Sequence, residues 1–121
     1  MRNLLVDTGP LVAFANKRDK WHADAVRFFN EFDGALVTTL AVVTEICALL
    51  PEHLSPVFLQ SIERSNFTLV HVPESELPAI AALMSKYVDR PMDFADASLI
   101  WLSDTSGITE IATIDSGFHM Y

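Results

Sequence analysis

Acids stand at a few telling places in this chain: Asp7, Glu45, the pair Asp93 and Asp96, and Asp115. Converging carboxylates that need no cysteine or histidine beside them suit a hard, oxygen-seeking cation such as Mg²⁺ or Mn²⁺ rather than zinc. Two such ions about 4 Å apart can activate an attacking oxygen and stabilise a leaving one during in-line displacement at phosphorus. Phosphodiester hydrolysis is the natural class for such a set, although a count of acids does not fix it.

Each acid also has a plainer reading. Asp7 ends the apolar run Leu4-Leu5-Val6 and is the only charged residue between Arg2 and Lys17, yet Asp before Thr8-Gly9-Pro10 could equally serve a turn or a helix cap. Asp115 follows the apolar stretch Ile111–Ile114, but Asp-Ser-Gly is an ordinary turn sequence. Glu45 is more informative, being the only charged side chain between Asp33 and Glu52, midway along the most apolar helical segment. Its helical neighbours Ala41, Ala48 and Leu49 offer no cation, and a lone buried carboxylate must be paired, protonated or bound to metal. Asp93 and Asp96, three apart where a helix begins, point the same way; both could belong to an N-terminal capping arrangement, with Asp96 favoured by the helix dipole, or Asp93 could cap while Asp96 ligates.

The elements that would position these acids alternate. Leu4–Val6 reads as a strand, followed by a short helix begun near Pro10. Trp21–Phe32 has the spacing of an amphipathic helix, Ala35–Thr38 that of a strand, and Leu40–Leu50 that of a helix apolar almost all round. That last helix, stopped by Pro51, is expected to be buried between the sheet and neighbouring helices. Helical spacing resumes over Pro56–Arg64, a third strand is expected over Phe67–Val72, and helices over Glu74–Val88 and Asp93–Ser106, the last ended by Gly107. Ile111–Ile114 is the fourth strand. Such alternation implies parallel pairing with right-handed crossovers, hence an α/β fold: a three-layer α/β/α sandwich with a mainly parallel central sheet of four to five strands. In such sheets ligands bind outside the carboxyl ends of the strands, where Asp7 and Asp115 stand.

Composition bounds the rest. The length of 121 residues fits a single domain over 1–121, and half of the residues are hydrophobic, enough for a real core. No stretch approaches the roughly 20 apolar residues of a membrane helix, and Asp7 comes too early for a signal peptide, so a cytoplasmic protein is expected. Cys47 is the only cysteine, which rules out an intrachain disulfide and suits a core position. His22, His53, His71 and His119 are dispersed without ligand spacing. A net charge of −8 opposes binding to a polyanion, and two divalent cations would reduce it to −4 where a phosphate must sit. Trp21, close to Lys17, Arg18 and Lys20, could stack on a base, or the segment could be a solvated turn.

Val6-Asp7-Thr8-Gly9-Pro10-Leu11-Val12-Ala13, Val43-Thr44-Glu45, Met92-Asp93-Phe94-Ala95-Asp96-Ala97-Ser98-Leu99 and Thr113-Ile114-Asp115 resemble, in order, the acidic motifs of PIN-domain ribonucleases. The likeness spans nearly the whole chain, and the compact size resembles VapC-like toxins of toxin–antitoxin pairs. It implies a Mg²⁺- or Mn²⁺-dependent endoribonuclease with Asp7, Glu45, Asp96 and Asp115 as catalytic, metal-binding acids, Asp93 as an additional metal ligand and Thr8 as the small hydroxyl residue beside the first acid. It also implies an RNA substrate, a homodimer and a VapB-like antitoxin covering the acidic site. Relatives often continue through a further short strand, whereas this sequence stops at Tyr121, so the sheet edge is expected to be incomplete or supplied differently. A PIN nuclease of RNA maturation and a catalytically silent PIN-fold binding module are the alternatives. A phosphoacceptor receiver domain fits poorly, because Asp7 has no acidic neighbour and no lysine follows Lys86.

Overall fold

A computed structural model describes residues 2–114 and 117–120. Its centre is a five-stranded sheet in the order β3-β2-β1-β4-β5. Strand β1 (Asn3–Val6) lies in the middle, paired in parallel with β2 (Ala35–Thr39) on one side and β4 (Ile111–Ile114) on the other. Strand β3 (Phe67–Val70) adds to β2, also in parallel. The expected incomplete edge is corrected here: β5 (Phe118–Met120) pairs antiparallel with β4, Thr113 opposite His119. A strand of only three residues carries too little hydrophobic alternation to be read from sequence.

The central position of β1 explains its composition. Leu4, Leu5 and Val6 are each at most 1% exposed, because a parallel strand covered on both faces has no solvent side. Leu4 and Val6 join a core with α1 (Thr8–Ala15), α3 (Leu40–Leu49) and α4 (Ser55–Arg64), against which Phe28, Phe29 and Phe32 also pack. Those three rings belong to α2 (His22–Glu31) and its C-cap. Leu5 points the other way, to Ile80 of α5 (Leu77–Lys86) and to Ala97, Trp101 and Leu102 of α6 (Phe94–Ser106). The three-layer expectation is met.

Two boundaries and one pattern of burial differ from expectation. Strand β3 stops at Val70. The segment from Glu74 opens as a 3₁₀ turn and becomes α-helical at Leu77, with Pro78 in the first turn, where its missing N–H costs nothing. The apolar helix α3 is not buried all round: Val42, Val43 and Ile46 face the core, whereas Leu40, Thr44, Ala48 and Leu49 are exposed. Near-uniform hydrophobicity hid this orientation, since no polar stripe marked the outer face.

Gly34, between α2 and β2, has φ of 152°, a conformation L side chains rarely adopt, and a Cβ there would lie 2.3 Å from the Arg2 carbonyl oxygen. That carbonyl accepts the Ala35 N–H at 2.8 Å, so it cannot move away without loosening the β1–β2 ladder. Gly34→Ala is expected to destabilise the protein by about 1–3 kcal/mol or more, read as a lower denaturant midpoint; an unchanged midpoint would show that the strand start adapts freely.

Candidate functional site

Parallel order brings the ends of β1 and β4 to one edge of the sheet, and the acids gather there. Asp7 is the residue after β1 and the N-cap of α1. Its Oδ1 accepts the Thr8 N–H at 2.7 Å and its Oδ2 accepts the Thr113 hydroxyl at 3.1 Å. The cap reading of Asp7 therefore holds, and the cap fixes the carboxylate at the sheet edge. Glu45 extends from α3 and Asp96 from the first turn of α6 into the same cleft as Asp7, a space of about 320 Å³ also lined by Thr8, Asp19 and Trp21.

Asp93 caps α6 in a reciprocal box. Its Oδ1 accepts the Asp96 N–H at 2.8 Å, and Asp96 Oδ2 accepts the Asp93 N–H at 3.3 Å. The box satisfies orphan amides of the helix start and locks the orientation of Asp96. Asp93 is thereby a cap, as one reading held, and it also stands close enough to Glu45 to perturb it. Asp115 lies outside the described residues.

The cleft is electrostatically frustrated. The Glu45 carboxyl is pushed up to about 7, first by burial, then by hydrogen bonding with and repulsion from Asp93, and then by the charges of Asp96 and Asp7. Asp96 is also raised, chiefly by desolvation and by Asp93 and Asp7, while the Asp93 amide works in the opposite direction. No lysine or arginine forms an ion pair with Asp7, Glu45, Asp93 or Asp96 among the described residues, where the ion pairs are Arg2 with Glu110 and Arg27 with Asp24. Glu45 Oε2 is buried without a hydrogen-bond partner. All-oxygen donors, an orphaned carboxylate oxygen and the lack of a protein cation suit a bound divalent ion. The described residues do not by themselves gather three Asp, Glu, His or Cys side chains tightly enough to hold one.

Hydroxyl groups behind the cleft were not singled out from the sequence. Thr38, Thr39 and Ser98 are completely buried. Thr38 donates to the Val6 carbonyl at 2.8 Å, one residue before Asp7. Thr39 caps α3 by accepting the Val42 N–H, and its Oγ1 lies 2.7 Å from Ser98 Oγ on α6, which in turn donates to the Ala95 carbonyl. These bonds tie the three acid-bearing elements together. Two adjacent threonines closing a buried strand and a serine within the apolar run Ala97–Leu102 were the available signals, since a buried hydroxyl needs a partner. Thr8, the small hydroxyl residue beside Asp7, is buried with its Oγ1 unpartnered. Among the histidines, His22 has its Nδ1 2.8 Å from the Ala13 carbonyl, which ties α2 to α1. Cys47 packs half-buried against the larger core.

Comparison with known proteins follows the same lines. A family model described as the PIN domain matches residues 4–121. Ribonuclease VapC26 of Mycobacterium tuberculosis is 24% identical over 116 residues, covering 93% of this chain and 86% of that protein. The crystal structure of Mycobacterium tuberculosis VapC20, described as a Sarcin-Ricin loop cleaving toxin, superposes with a TM-score of 0.85 at 19% identity, covering 93% of this chain and 89% of that one. That superposition establishes a shared fold.

Because the folded protein favours protonated Glu45, the cation-free fold has this contribution in full below the ordinary glutamate value of 4.5 and loses it as pH rises through about 7. In EDTA the melting temperature is expected to fall between pH 5 and pH 8, and Glu45→Gln to shrink that fall. An equal fall in the variant would assign the pH dependence to other groups.

Proposed function

The chain belongs to the PIN-domain family, and from that premise we propose that it is a metal-dependent endoribonuclease of the VapC type, acting as a single domain within the cytoplasm. The observation that carries this reading is the meeting of Asp7, Glu45 and Asp96 in one cleft with no protein cation among the described residues to neutralise them. The relative named ribonuclease VapC26 and the RNA-cleaving toxin VapC20 support RNA as the substrate.

In this proposal Asp7, Glu45, Asp96 and Asp115 hold Mg²⁺ or Mn²⁺, with Asp93 contributing from the cap. The cation supplies charge stabilisation for in-line displacement at phosphorus. The chain's own groups set the conditions. Thr8 N–H and the Thr113 hydroxyl hold the Asp7 carboxylate in one orientation at the cleft wall. The Asp93 box does the same for Asp96. Glu45, raised to about 7 by burial and its acidic neighbours, would give its proton to solvent where a neighbouring positive charge favoured the carboxylate.

The partners follow from surface chemistry. An acidic cleft of this kind attracts a basic side chain, which supports a VapB-like antitoxin covering the site. Homodimerisation is supported by α5, where Leu77, Ala81 and Met84 are exposed on one side and Val88 continues the line at 72% exposure. An apolar helix face with nothing covering it marks an interaction surface.

Two experiments test these statements. Purified protein is expected to cut structured RNA with Mg²⁺ or Mn²⁺ and not in EDTA, and Asp7→Asn or Asp96→Asn to reduce the rate about 100-fold or more. Absence of both cutting and cation binding in the wild-type protein would favour the binding-module alternative. Met84→Glu is expected to shift the protein from dimer to monomer in sedimentation equilibrium without lowering its melting temperature by more than a few degrees. A monomeric wild-type protein would remove the dimer.

A further inference from the structure

Beside the acidic cleft runs a second groove, of about 560 Å³, lined by Lys17, Arg18, Pro51 and His53 among others. Cleft and groove share no lining residue, but neighbouring positions of the chain line both. Trp21 lines the cleft and Arg18 the groove within the same α1–α2 loop, while Leu49, the last residue of α3, lines the cleft and Pro51, two residues on, the groove.

The charge of this loop is unusual for the molecule. The chain carries 8 lysines and arginines against 16 acids, and three of the eight fall within residues 17–20. Arg2 and Arg27 are held by Glu110 and Asp24, but Lys17, Arg18 and Lys20 are exposed and form no ion pair among the described residues. The loop is also ordered by its own bonds: Asn16 Oδ1 accepts the Arg18 N–H at 3.1 Å and Asp19 Oδ1 accepts the Trp21 N–H at 2.8 Å. Lys20 Nζ lies 5.2 Å from the centre of the Trp21 ring, which adds positive charge to an aromatic group at the cleft wall. Unpaired cations followed by an aromatic ring are what a single strand needs: charge for its backbone and a platform for a base.

We propose that this groove and Trp21 form a track for unpaired RNA leading into the acidic cleft. Lys17 and Arg18 contact phosphates flanking the scissile one, and Trp21 stacks on an adjacent base. The proposal rests on the ribonuclease reading and deepens it, assigning these side chains as binding rather than catalytic groups. It also answers the objection raised by the net charge of −8, since the polyanion meets a local excess of cations on its way to the acids.

The test is anisotropy titration of a short, unstructured, fluorescein-labelled RNA with Asp7→Asn protein in Mg²⁺ over a range of salt, with cleavage kinetics measured in parallel on the Asp7-containing protein. Adding Lys17→Ala and Arg18→Ala is expected to weaken binding at least tenfold and to make the slope of log K against log salt about 1.4 shallower, two phosphate contacts at about 0.7 each. Trp21→Ala is expected to weaken binding about tenfold, with Trp21→Phe recovering most of the loss. In the cleaving protein the same changes should raise KM more than they lower kcat. Unchanged affinity and slope in the double variant would overturn the track, as would equal loss in the Phe and Ala variants at unchanged melting temperature. If the wild-type protein cuts no RNA, the ribonuclease reading fails on that result alone, whereas the binding titration judges the track independently.

Discussion

Like charges held together in a half-buried cleft are the constraint on which the rest of this structure depends. Asp7, Glu45, Asp93 and Asp96 repel one another, and the Glu45 and Asp96 carboxyls are raised first by burial and then by their acidic neighbours. A loop-borne cluster would relieve that strain by moving apart. Here each acid sits on an element that cannot move without breaking buried bonds: Asp7 at the end of the central strand, Glu45 on α3, and Asp96 within a capping box.

The Thr38, Thr39 and Ser98 hydroxyls make that rigidity specific. They lie beneath the cleft, wholly excluded from water, where a hydrogen bond left unmade would cost about 1–3 kcal/mol. Each bond joins elements distant in sequence, β2 to β1 and α3 to α6, so the spacing of the acid-bearing elements is fixed by the interior rather than by the acids themselves. The interior thus holds these acids together against their mutual repulsion. The same logic separates roles along the rim, where acids occupy the sheet edge and the unpaired cations of the α1–α2 loop stand beside it.

Much of this was legible in advance because the relevant signals are local. An acid ending an apolar run, a glutamate alone in an apolar helix and two aspartates three apart at a helix start are patterns of one segment. The alternation of strands and helices is also local, and it sufficed for a three-layer sandwich. The outer face of α3, the short β5 and the early end of β3 were not legible, because uniform hydrophobicity and very short strands carry no period to read.

The sequence by itself determined the class of fold and set acids at the ends and starts of its segments. The period of each segment and the place of each acid along it settle those matters without reference to distant partners. Only the tertiary structure decided that Asp93 serves as a cap beside Glu45, that Thr113 reaches Asp7 across 106 positions of sequence, and that Trp21 shares a cleft with the acids. These relations depend on strand order and crossover, which place the end of β4 beside the start of α1 and bring α6 against α3. Pairing between remote segments follows from the packing of the whole chain, so no single stretch encodes it.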